Sequence, residues 1–314
     1  MTKYLSEIIG QESVKTRLAI YRDSFKRDNI LPFILAVSAR GCGKSKLVRE
    51  FRKTLVRQDG SKPPLIEVNC ASIKSAEGFF NQIYHTWVDN SAVLFFDEVH
   101  MLPPRLQEIF LTVLEKDRNP IRRITFGGEE YIFDFTQISF ICATTDHQKI
   151  GGALDDRLTK ISLAQYNKEE LFEILKHNLE DVDICNKIHP LIKDIFRGHP
   201  RHCVEIAEDL QKYAAAKSIS KIEEHHWGEF CSIMGIHDHG FNEAEMAIIR
   251  VLGERGESSL EALAASTGFS RGAIRSRYEH ALLSRGVMEI GPRRSLTNKG
   301  RLFYNKLIQK NPAL

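Results

Sequence analysis

A glycine-rich segment holds the first group of residues that is suited to chemistry. Ser38–Ser45 reads Ser-Ala-Arg-Gly-Cys-Gly-Lys-Ser, and it follows an apolar run and precedes a helical pattern. Glycines allow backbone N–H groups to approach phosphates closely at the positive end of a helix. We therefore expect Lys44 to contact the β- and γ-phosphates of a nucleotide and Ser45 to bind Mg²⁺. The loop residues expected around the nucleotide are Arg40, Gly41, Cys42, Gly43, Lys44, Ser45 and Lys46.

Two adjacent acidic residues form the second group. Asp97 and Glu98 follow the apolar run Ala92–Phe96, so both carboxylates would lie at the end of a buried strand. An aspartate in this position can hold Mg²⁺, and the neighbouring glutamate can orient and polarise an attacking water. The order of the two groups along the chain predicts ATP hydrolysis, because phosphoryl transfer depends on positioning and charge neutralisation. The chemistry implies ATP and Mg²⁺ as cofactors.

Short apolar runs that alternate with helical patterns would position these groups. Such runs, without polar alternation, are typical of strands buried on both faces, and their alternation with helices predicts a parallel sheet covered by helices. The runs are Phe33–Val37, Leu65–Val68, Ala92–Phe96, Ile138–Ala143 and Lys160–Leu163. The first part of the chain is therefore predicted to be an α/β domain.

The chain becomes helical from about Asn167. The predicted helices here are Glu169–Glu180, Asn186–Arg197 and Pro200–Lys217. A polar, histidine-rich stretch, His225–His239, is predicted to be a linker. Beyond it, three helical patterns (Glu243–Leu252, Leu260–Ser266 and Ser270–Ser284) precede short strands about Gly291–Pro292. Three helices followed by a turn between strands predict a winged-helix domain.

Charge is unevenly distributed along the chain. The whole chain has 44 Lys or Arg against 41 Asp or Glu, a net charge of +3, which excludes a uniformly basic coating protein. Residues 271–314 hold ten Lys or Arg against two Glu, a charge of +8, which leaves −5 for the rest. No apolar run approaches the ~20 residues of a spanning helix. We expect a soluble, cytoplasmic protein without a membrane segment.

Taken together, the motifs of this chain resemble those of the AAA+ ATPases and, among them, the RuvB family of Holliday-junction branch-migration motors. The segments that carry the resemblance are Leu5–Gln11, Ser38–Ser45, Asp97–Leu102, Ala143–Thr145, Leu154–Leu158 and Gly198–Arg201. The resemblance implies three domains. They are an AAA+ nucleotide-binding P-loop domain with a parallel sheet at 1–166, an all-α lid at 167–225 and a winged-helix DNA-binding domain at 240–314.

The resemblance also implies roles for single residues. Thr145 would sense the γ-phosphate, and Arg157 would be an arginine finger that acts on the ATP of a neighbouring subunit in a ring, commonly a hexamer. The residues implied around the rest of the nucleotide are Ile8, Ile9, Tyr166, Pro200 and Arg201. Five positions depart from the family pattern: Ser38 replaces the first glycine of the phosphate loop, Ala39 and Arg40 replace its paired prolines, and Asp155 and Leu158 replace an arginine and a phenylalanine beside Arg157.

A hairpin is predicted at 121–135, between the acidic pair and Thr145. Two runs typical of β-strands flank Gly127-Gly128, a dipeptide that favours a tight turn. In the family a protruding hairpin at this position docks the junction-binding protein RuvA, so a RuvA-like partner is implied. The other interpretation is a hairpin that packs against its own domain, because Ile, Phe and Tyr also fill cores.

Arginines of the winged-helix region could meet DNA phosphates, with a four-way junction or a duplex as the partner. The residues are Arg271, Arg275, Arg293 and Arg294, the last two at the tip of the predicted wing. No acidic or amide set suited to reading bases accompanies them, so contacts to the DNA backbone are expected. A merely solvated basic face is the alternative interpretation.

Two other functions share the ATPase motifs. A clamp loader, helicase loader or replication initiator would use ATP as a switch on DNA rather than as the fuel of a motor. A non-enzymatic scaffold would use ATP only to hold a DNA-binding assembly together. The hairpin and the segment Leu5–Gln11 favour the motor over the loader, and Lys44, Asp97, Glu98 and Arg157 together argue against the scaffold.

Overall fold

The chain divides into two compact units in a computed structural model that describes residues 4–87, 91–115, 119–196 and 199–310. One unit comprises Met1–Ile174 with Gly198–His202, and the other comprises Leu175–Arg197 with Cys203–Leu314. Within those described ranges, no helix is both long enough and apolar enough to cross a membrane.

A five-stranded parallel sheet forms the centre of the first unit. The strands of this unit are β1 (Ile34–Val37), β2 (Leu65–Asn69), β3 (Ala92–Asp97), β4 (Ile121–Phe126), β5 (Glu129–Asp134), β6 (Ile138–Thr144) and β7 (Thr159–Ser162). The order in the sheet is β2-β3-β6-β1-β7, and every pair in it is parallel. All five predicted strands are confirmed, each to within one residue at either end.

Helices cover both faces of this sheet. They are α1 (Glu12–Asp28), α2 (Lys44–Lys53), α3 (Ala76–Gly78), α4 (Pro104–Val113) and α5 (Gly152–Asp155); α6 (Lys168–His177) follows the last strand and ends in the second unit. Side chains of β3 alternate between two cores: Phe95 packs with Phe25 and Phe51 of α1 and α2, and Phe96 packs with Phe110 of α4. Burial on both faces explains why the central strands are apolar without alternation.

The predicted hairpin is confirmed, with β4 and β5 paired antiparallel from Ile121–Asp134 to Phe126–Glu129. Gly127 and Gly128 both have positive φ, 60° and 87°, as a two-residue hairpin turn of this twist requires. One face of the hairpin is buried in its own domain through Tyr131 and Phe133. The other face is exposed, so the interpretation of a hairpin packed against its own domain holds for one of its faces.

The second unit begins with helices and two very short strands. Its elements up to residue 240 are α7 (His189–Ile195), α8 (Pro200–Lys217, which starts in the first unit), α9 (Glu224–Met234), β8 (Asp183–Ile184) and β9 (Lys221–Ile222). The linker predicted at His225–His239 is wrong for its first ten residues, because α9 occupies them. Trp227 and Phe230 are buried, and Glu223 forms a capping box with His226. The three-residue spacing of these two aromatic residues was not recognised in the sequence because histidines surround it.

The C-terminal region, residues 241–310, contains the three predicted helices and the strands after them. Its elements are α10 (Glu243–Arg255), β10 (Glu257–Ser258), α11 (Leu260–Thr267), α12 (Arg271–Ala273), α13 (Glu279–Ser284), β11 (Met288–Ile290), β12 (Arg294–Leu296) and α14 (Asn298–Lys310). A π turn, Ile274–Tyr278, joins α12 to α13 in one helical stretch. Ile274 and Leu282 of this stretch are fully buried, and Ser270 caps its start.

The segment that leads into the C-terminal region approaches α7 very closely at Gly240, which has φ 70°. A β-carbon at this position would lie 2.6 Å from Cα of Ile195 and 2.8 Å from its carbonyl oxygen. Only glycine therefore permits this backbone-to-backbone contact.

Candidate ATP site and DNA-facing region

Three adjacent strands of the sheet bring the candidate ATP site together at their carboxyl ends. The strands β3, β6 and β1 are neighbours, and they end at Asp97, Thr144 and Val37. The phosphate loop follows β1 directly, and Thr145 follows β6. This edge of a parallel sheet is where α/β proteins bind ligands.

The phosphate loop turns into α2 through two left-handed glycines, Gly41 at φ 80° and Gly43 at φ 90°. The Lys44 ammonium donates hydrogen bonds to the carbonyl oxygens of Ser38 and Ala39, at 2.9 and 3.3 Å. The lysine side chain therefore folds back along the loop. Burial lowers the pKa of Lys44, whereas the neighbouring carboxylates raise it. Ser38 therefore contributes a backbone oxygen to lysine, a role that does not need the glycine of the family pattern.

The candidate magnesium ligands lie next to each other. The Ser45 hydroxyl donates to Oδ2 of Asp97 at 3.3 Å, and the backbone N–H of Glu98 donates to Oδ1 at 3.1 Å. A hydroxyl and a carboxylate are hard oxygen ligands of the kind that Mg²⁺ prefers, and the ion takes its remaining ligands from water and phosphates. No group of three or more His, Cys, Asp or Glu suited to a metal occurs in the described part of the chain. The donor set therefore fits Mg²⁺ bound together with a nucleotide.

Glu98 has a strained backbone and an oriented side chain. Its φ and ψ are 54° and 52°, a left-handed conformation that costs free energy for a residue with a β-carbon. Its Oε2 accepts hydrogen bonds from Thr145, through the N–H at 3.0 Å and the hydroxyl at 2.9 Å. His100 Nδ1 lies 3.3 Å from the same oxygen and 2.9 Å from the hydroxyl oxygen of Thr144.

The sequence did not indicate the partners of this glutamate. It placed His100 in a motif without a role and gave no role to Thr144. Thr144 ends β6 and Thr145 follows it, and the hydroxyls of both contact the cluster of Glu98 and His100. Consecutive threonines at the end of a central strand, next to a strand that ends in carboxylates, were the available signal.

Arg157 is bonded within its own domain. Its Nε donates to the carbonyl of Leu111 in α4 at 2.8 Å, and a terminal nitrogen donates to the carbonyl of Ala153 in α5, also at 2.8 Å. Asp155 forms an ion pair with Lys160 of β7, and Leu158 is buried in the core. Asp155 and Leu158, the two departures from the family pattern beside Arg157, thus have ordinary structural roles.

The residues expected around the rest of the nucleotide are spread along the first unit. Ile8 is buried in the core beneath α1, and Ile9 is half-buried. Tyr166 is half-buried, with its hydroxyl 3.8 Å from where a β-carbon of Gly43 would lie, and burial raises its pKa to about 12. Arg40 and Lys46 are exposed, and Cys42 is buried between Gly41 and Gly43.

The start of α8 adjoins the phosphate loop. The backbone N–H of Arg201 donates to the carbonyl of Gly41 at 3.4 Å, and the Cβ atoms of Arg201 and His199 lie near this glycine. Pro200 is buried and the Arg201 side chain is exposed. Gly198, the first residue of this motif, lies outside the described residues.

Sequence reasoning included Gln11 only as the last residue of the segment Leu5–Gln11 and gave it no role of its own. Its side-chain amide donates to the carbonyl of Ala164 at 2.8 Å and accepts from the N–H of the same residue at 2.9 Å. These bonds tie the segment before α1 to the segment that leads to Tyr166. The partner is 153 residues away, so no local pattern could have indicated it.

The candidate DNA-facing arginines do not all share one surface. Arg271, Arg275 and Arg293 are exposed. Arg271 lies 3.6 Å from Glu261, and Arg293 lies 3.5 Å from Glu257. Arg294 differs from the prediction that it sits at the wing tip: it is the first residue of β12, and its Nε donates to Oε1 of Glu279 at 2.8 Å. Only 12% of the Arg294 side chain is exposed, so it faces inwards.

Comparison with known proteins identifies similar domains and similar whole chains. Residues 34–166 match the model of the ATPase family associated with various cellular activities (AAA). The Holliday junction branch migration complex subunit RuvB of Kosmotoga olearia is 29% identical over 310 residues, which cover 96% of this chain and 86% of that protein. The RuvB subunit of Campylobacter fetus is 25% identical over 96% of this chain and 85% of its own length.

Solved structures agree with these relatives. The Thermotoga maritima RuvB Holliday junction branch migration motor matches with a TM-score of 0.72 and 25% identity. The match covers 98% of this chain and 97% of that one. The likeness thus extends over nearly the full length of both chains and is not confined to the nucleotide-binding domain.

Proposed function

Residues 34–166 match the model of the AAA ATPase family, and on that premise we propose that the chain is a ring-forming DNA motor of the RuvB type. It would hydrolyse ATP to translocate duplex DNA and so drive branch migration of Holliday junctions in recombination and repair. The observation that carries the proposal is the union, in one chain, of an ATP site with an intact acidic pair and a basic C-terminal region. The similarity to the RuvB subunit of Kosmotoga olearia covers 96% of the chain, so it includes both of these parts.

The residues of the site can divide the chemistry among them. Lys44 would neutralise charge on the β- and γ-phosphates, and Ser45 and Asp97 would hold Mg²⁺, which further neutralises the phosphates when it is bound. Glu98 would orient and polarise the attacking water, because its carboxylate lies at the same edge of the sheet. Thr145 orients Glu98 from the next strand.

A ring would supply the last catalytic group. We propose that Arg157 acts as an arginine finger on the ATP of a neighbouring subunit, in a hexamer. The guanidinium is bonded to Leu111 and Ala153 of its own chain, so assembly would have to turn it outwards. Such fingers contribute about 10³–10⁵ to the rate in other nucleotide hydrolases.

The remaining domains would couple hydrolysis to DNA. We propose that 1–166 binds the nucleotide, that 167–225 is the lid, and that 240–314 contacts DNA through Arg271, Arg275 and Arg293. The exposed face of the hairpin would dock a RuvA-like protein that binds the junction. We propose a cytoplasmic location, because a motor of this kind acts on DNA inside the cell.

Branch migration of a synthetic four-way junction tests the proposal. The expected result is dissociation of the junction into two duplexes that needs ATP, Mg²⁺ and a junction-binding partner. The Glu98→Gln variant serves as the matched control, because it should bind ATP and DNA without turnover. Hydrolysis without any movement of the junction would contradict the motor.

A loader or initiator that uses ATP as a switch is the second candidate. One observation favours it: Asp155, where the family has an arginine, is paired with Lys160, so Arg157 lacks its usual companion. In that case ATP binding alone, without hydrolysis, would change DNA affinity, and junctions would stay intact.

A further inference from the structure

An ion pair ties the predicted wing to the helix beside it. Nε of Arg294, at the start of β12, donates to Oε1 of Glu279, at the start of α13, at 2.8 Å. The exposed fractions of the two side chains are 12% and 7%. Charges that are this buried are held in place by their partner, because an unpaired charge would be strongly destabilised.

The neighbouring arginine has the opposite environment. Arg293 precedes β12, and 60% of its side chain is exposed. Its guanidinium lies 3.5 Å from the carboxylate of Glu257, which is also exposed. An exposed pair of this kind contributes little and can exchange readily for a phosphate.

The wing belongs to a three-stranded sheet, β10-β12-β11, in which Arg294 of β12 lies opposite Ser258 of β10 and Ile290 of β11. Its strands β11 and β12 have three residues each, and Ile290 pairs with Arg294 at the end that leads to the turn. Gly291, Pro292 and Arg293 form the turn and are exposed. The Glu279 side chain therefore reaches the wing at the pair of residues directly below its tip.

The helical end of the ion pair is also fixed in place. Glu279 follows the π turn Ile274–Tyr278, whose first residue, Ile274, is fully buried. Leu282, one turn after Glu279, is fully buried in the same core. The carboxylate is thus mounted on a helix that cannot rotate without disrupting the core.

We propose that the Glu279–Arg294 ion pair positions the wing so that Arg293 meets the DNA backbone. In this arrangement Arg293 binds a phosphate and Arg294 is a positioning residue that does not touch DNA. The proposal rests on the proposed function, since it takes the C-terminal region to be the DNA-binding surface.

The two possible roles of Arg294 predict opposite effects of losing Glu279. If Arg294 binds a phosphate, Glu279→Ala releases it and removes a negative charge, so DNA binding becomes tighter. If Arg294 positions the wing, Glu279→Ala lets the wing move and DNA binding weakens severalfold. The salt dependence gives a second readout, because each phosphate contact adds about one unit to the slope of log affinity against log salt.

The experiment measures the affinity of the full-length protein for a fluorescently labelled duplex over a series of KCl concentrations. The variants are Arg293→Ala, Glu279→Ala, and the double variant Glu279→Gln with Arg294→Gln. The double variant removes both charges but leaves two amides that can still bond, so it should fold even if Glu279→Ala does not. Thermal midpoints are measured alongside.

We expect Arg293→Ala to lower the salt slope by about one unit, and Glu279→Ala to lower it similarly. The double variant should keep the wild-type slope, although it lacks the Arg294 charge. A double variant that loses about one unit would overturn the positioning role and leave the DNA surface standing. A wild-type slope in Arg293→Ala would overturn the wing as a DNA contact, and the positioning role with it.

Discussion

Thr145 donates two hydrogen bonds to a single oxygen of Glu98, one from its backbone N–H at 3.0 Å and one from its hydroxyl at 2.9 Å. The two residues follow neighbouring strands, β6 and β3. The carboxylate expected to activate water is therefore oriented by the residue expected to sense the γ-phosphate. Loss of the γ-phosphate would thus change the position of the Glu98 carboxylate through the Thr145 side chain.

Removal of the Thr145 hydroxyl should reduce hydrolysis. Thr145→Val keeps the N–H bond and the shape of the side chain but loses one donor to Glu98. We expect a drop in kcat of about 10- to 100-fold, because small errors in the position of a catalytic group are costly. Thr145→Ser restores the hydroxyl and should restore most of the rate in a steady-state ATPase assay. Equal rates for the Val and Ser variants would rule out this role of the hydroxyl.

Neutralising Glu98 should separate binding from turnover. Glu98→Gln keeps the size of the side chain and its bond with Thr145, but an amide cannot polarise water as a carboxylate does. Hydrolysis should fall by about 10²–10⁴-fold. ATP affinity, measured by fluorescence of a labelled nucleotide, should stay within a few-fold of the wild type. Undiminished hydrolysis would remove Glu98 from the catalytic role.

Substitution of Arg157 should act across subunits. Arg157→Ala should bind ATP normally but lower hydrolysis, by up to about 10³-fold or more. When it is mixed with wild-type protein, activity should fall faster than the fraction of variant, because each variant subunit disables a neighbour. Arg105→Ala, an exposed arginine of α4, is the matched control. A decline strictly proportional to the fraction of variant would argue against a finger in trans.

The exposed face of the hairpin should be needed for the partner but not for ATP. Ile132 of β5 is 38% exposed and lies opposite Arg123, so Ile132→Glu places a charge in the middle of this face. We expect binding to a RuvA-like protein to weaken by about 10- to 30-fold, the loss typical of a central contact. Basal hydrolysis should be unchanged.

The control for this experiment is the same substitution on another surface. Ile20 of α1 is 63% exposed, so Ile20→Glu adds the same charge away from the hairpin. It should leave partner binding intact in a pull-down or by calorimetry. If both variants weaken binding equally, or neither does, the hairpin is not the docking surface.

Local patterns predicted the elements of this fold well. The central strands β3 and β6 are buried on both faces, so they are mainly apolar, with Ser139 and Thr144 of β6 and the terminal Asp97 of β3 as the polar exceptions. Gly127 and Gly128 indicate their turn because only glycine adopts the required φ readily at both positions. The phosphate loop and the acidic pair are likewise contiguous in sequence.

Contacts between distant residues explain what could not be predicted. The bonds of Glu98 to Thr145 span 47 residues, and those of Gln11 to Ala164 span 153. The sequence does not distinguish the environments of Arg293 and Arg294. The fold shows that Arg294 faces Glu279 and that Arg293 faces solvent. In α9 the error was of another kind, since two buried aromatics were too few to reveal a helix among histidines.

The close approach of Gly240 to Ile195 has a mechanical consequence. With no side chain between the two backbones, α7 and the segment that leads into α10 have no room to slide past each other. A displacement of α7 would then move the C-terminal region by the same distance. The distance that DNA advances for each ATP would therefore depend on how rigid the contact between Gly240 and Ile195 is. Gly240→Ala should leave hydrolysis running while the advance per ATP falls, as measured by junction movement per phosphate released. A motor with such a variant would consume ATP and slip.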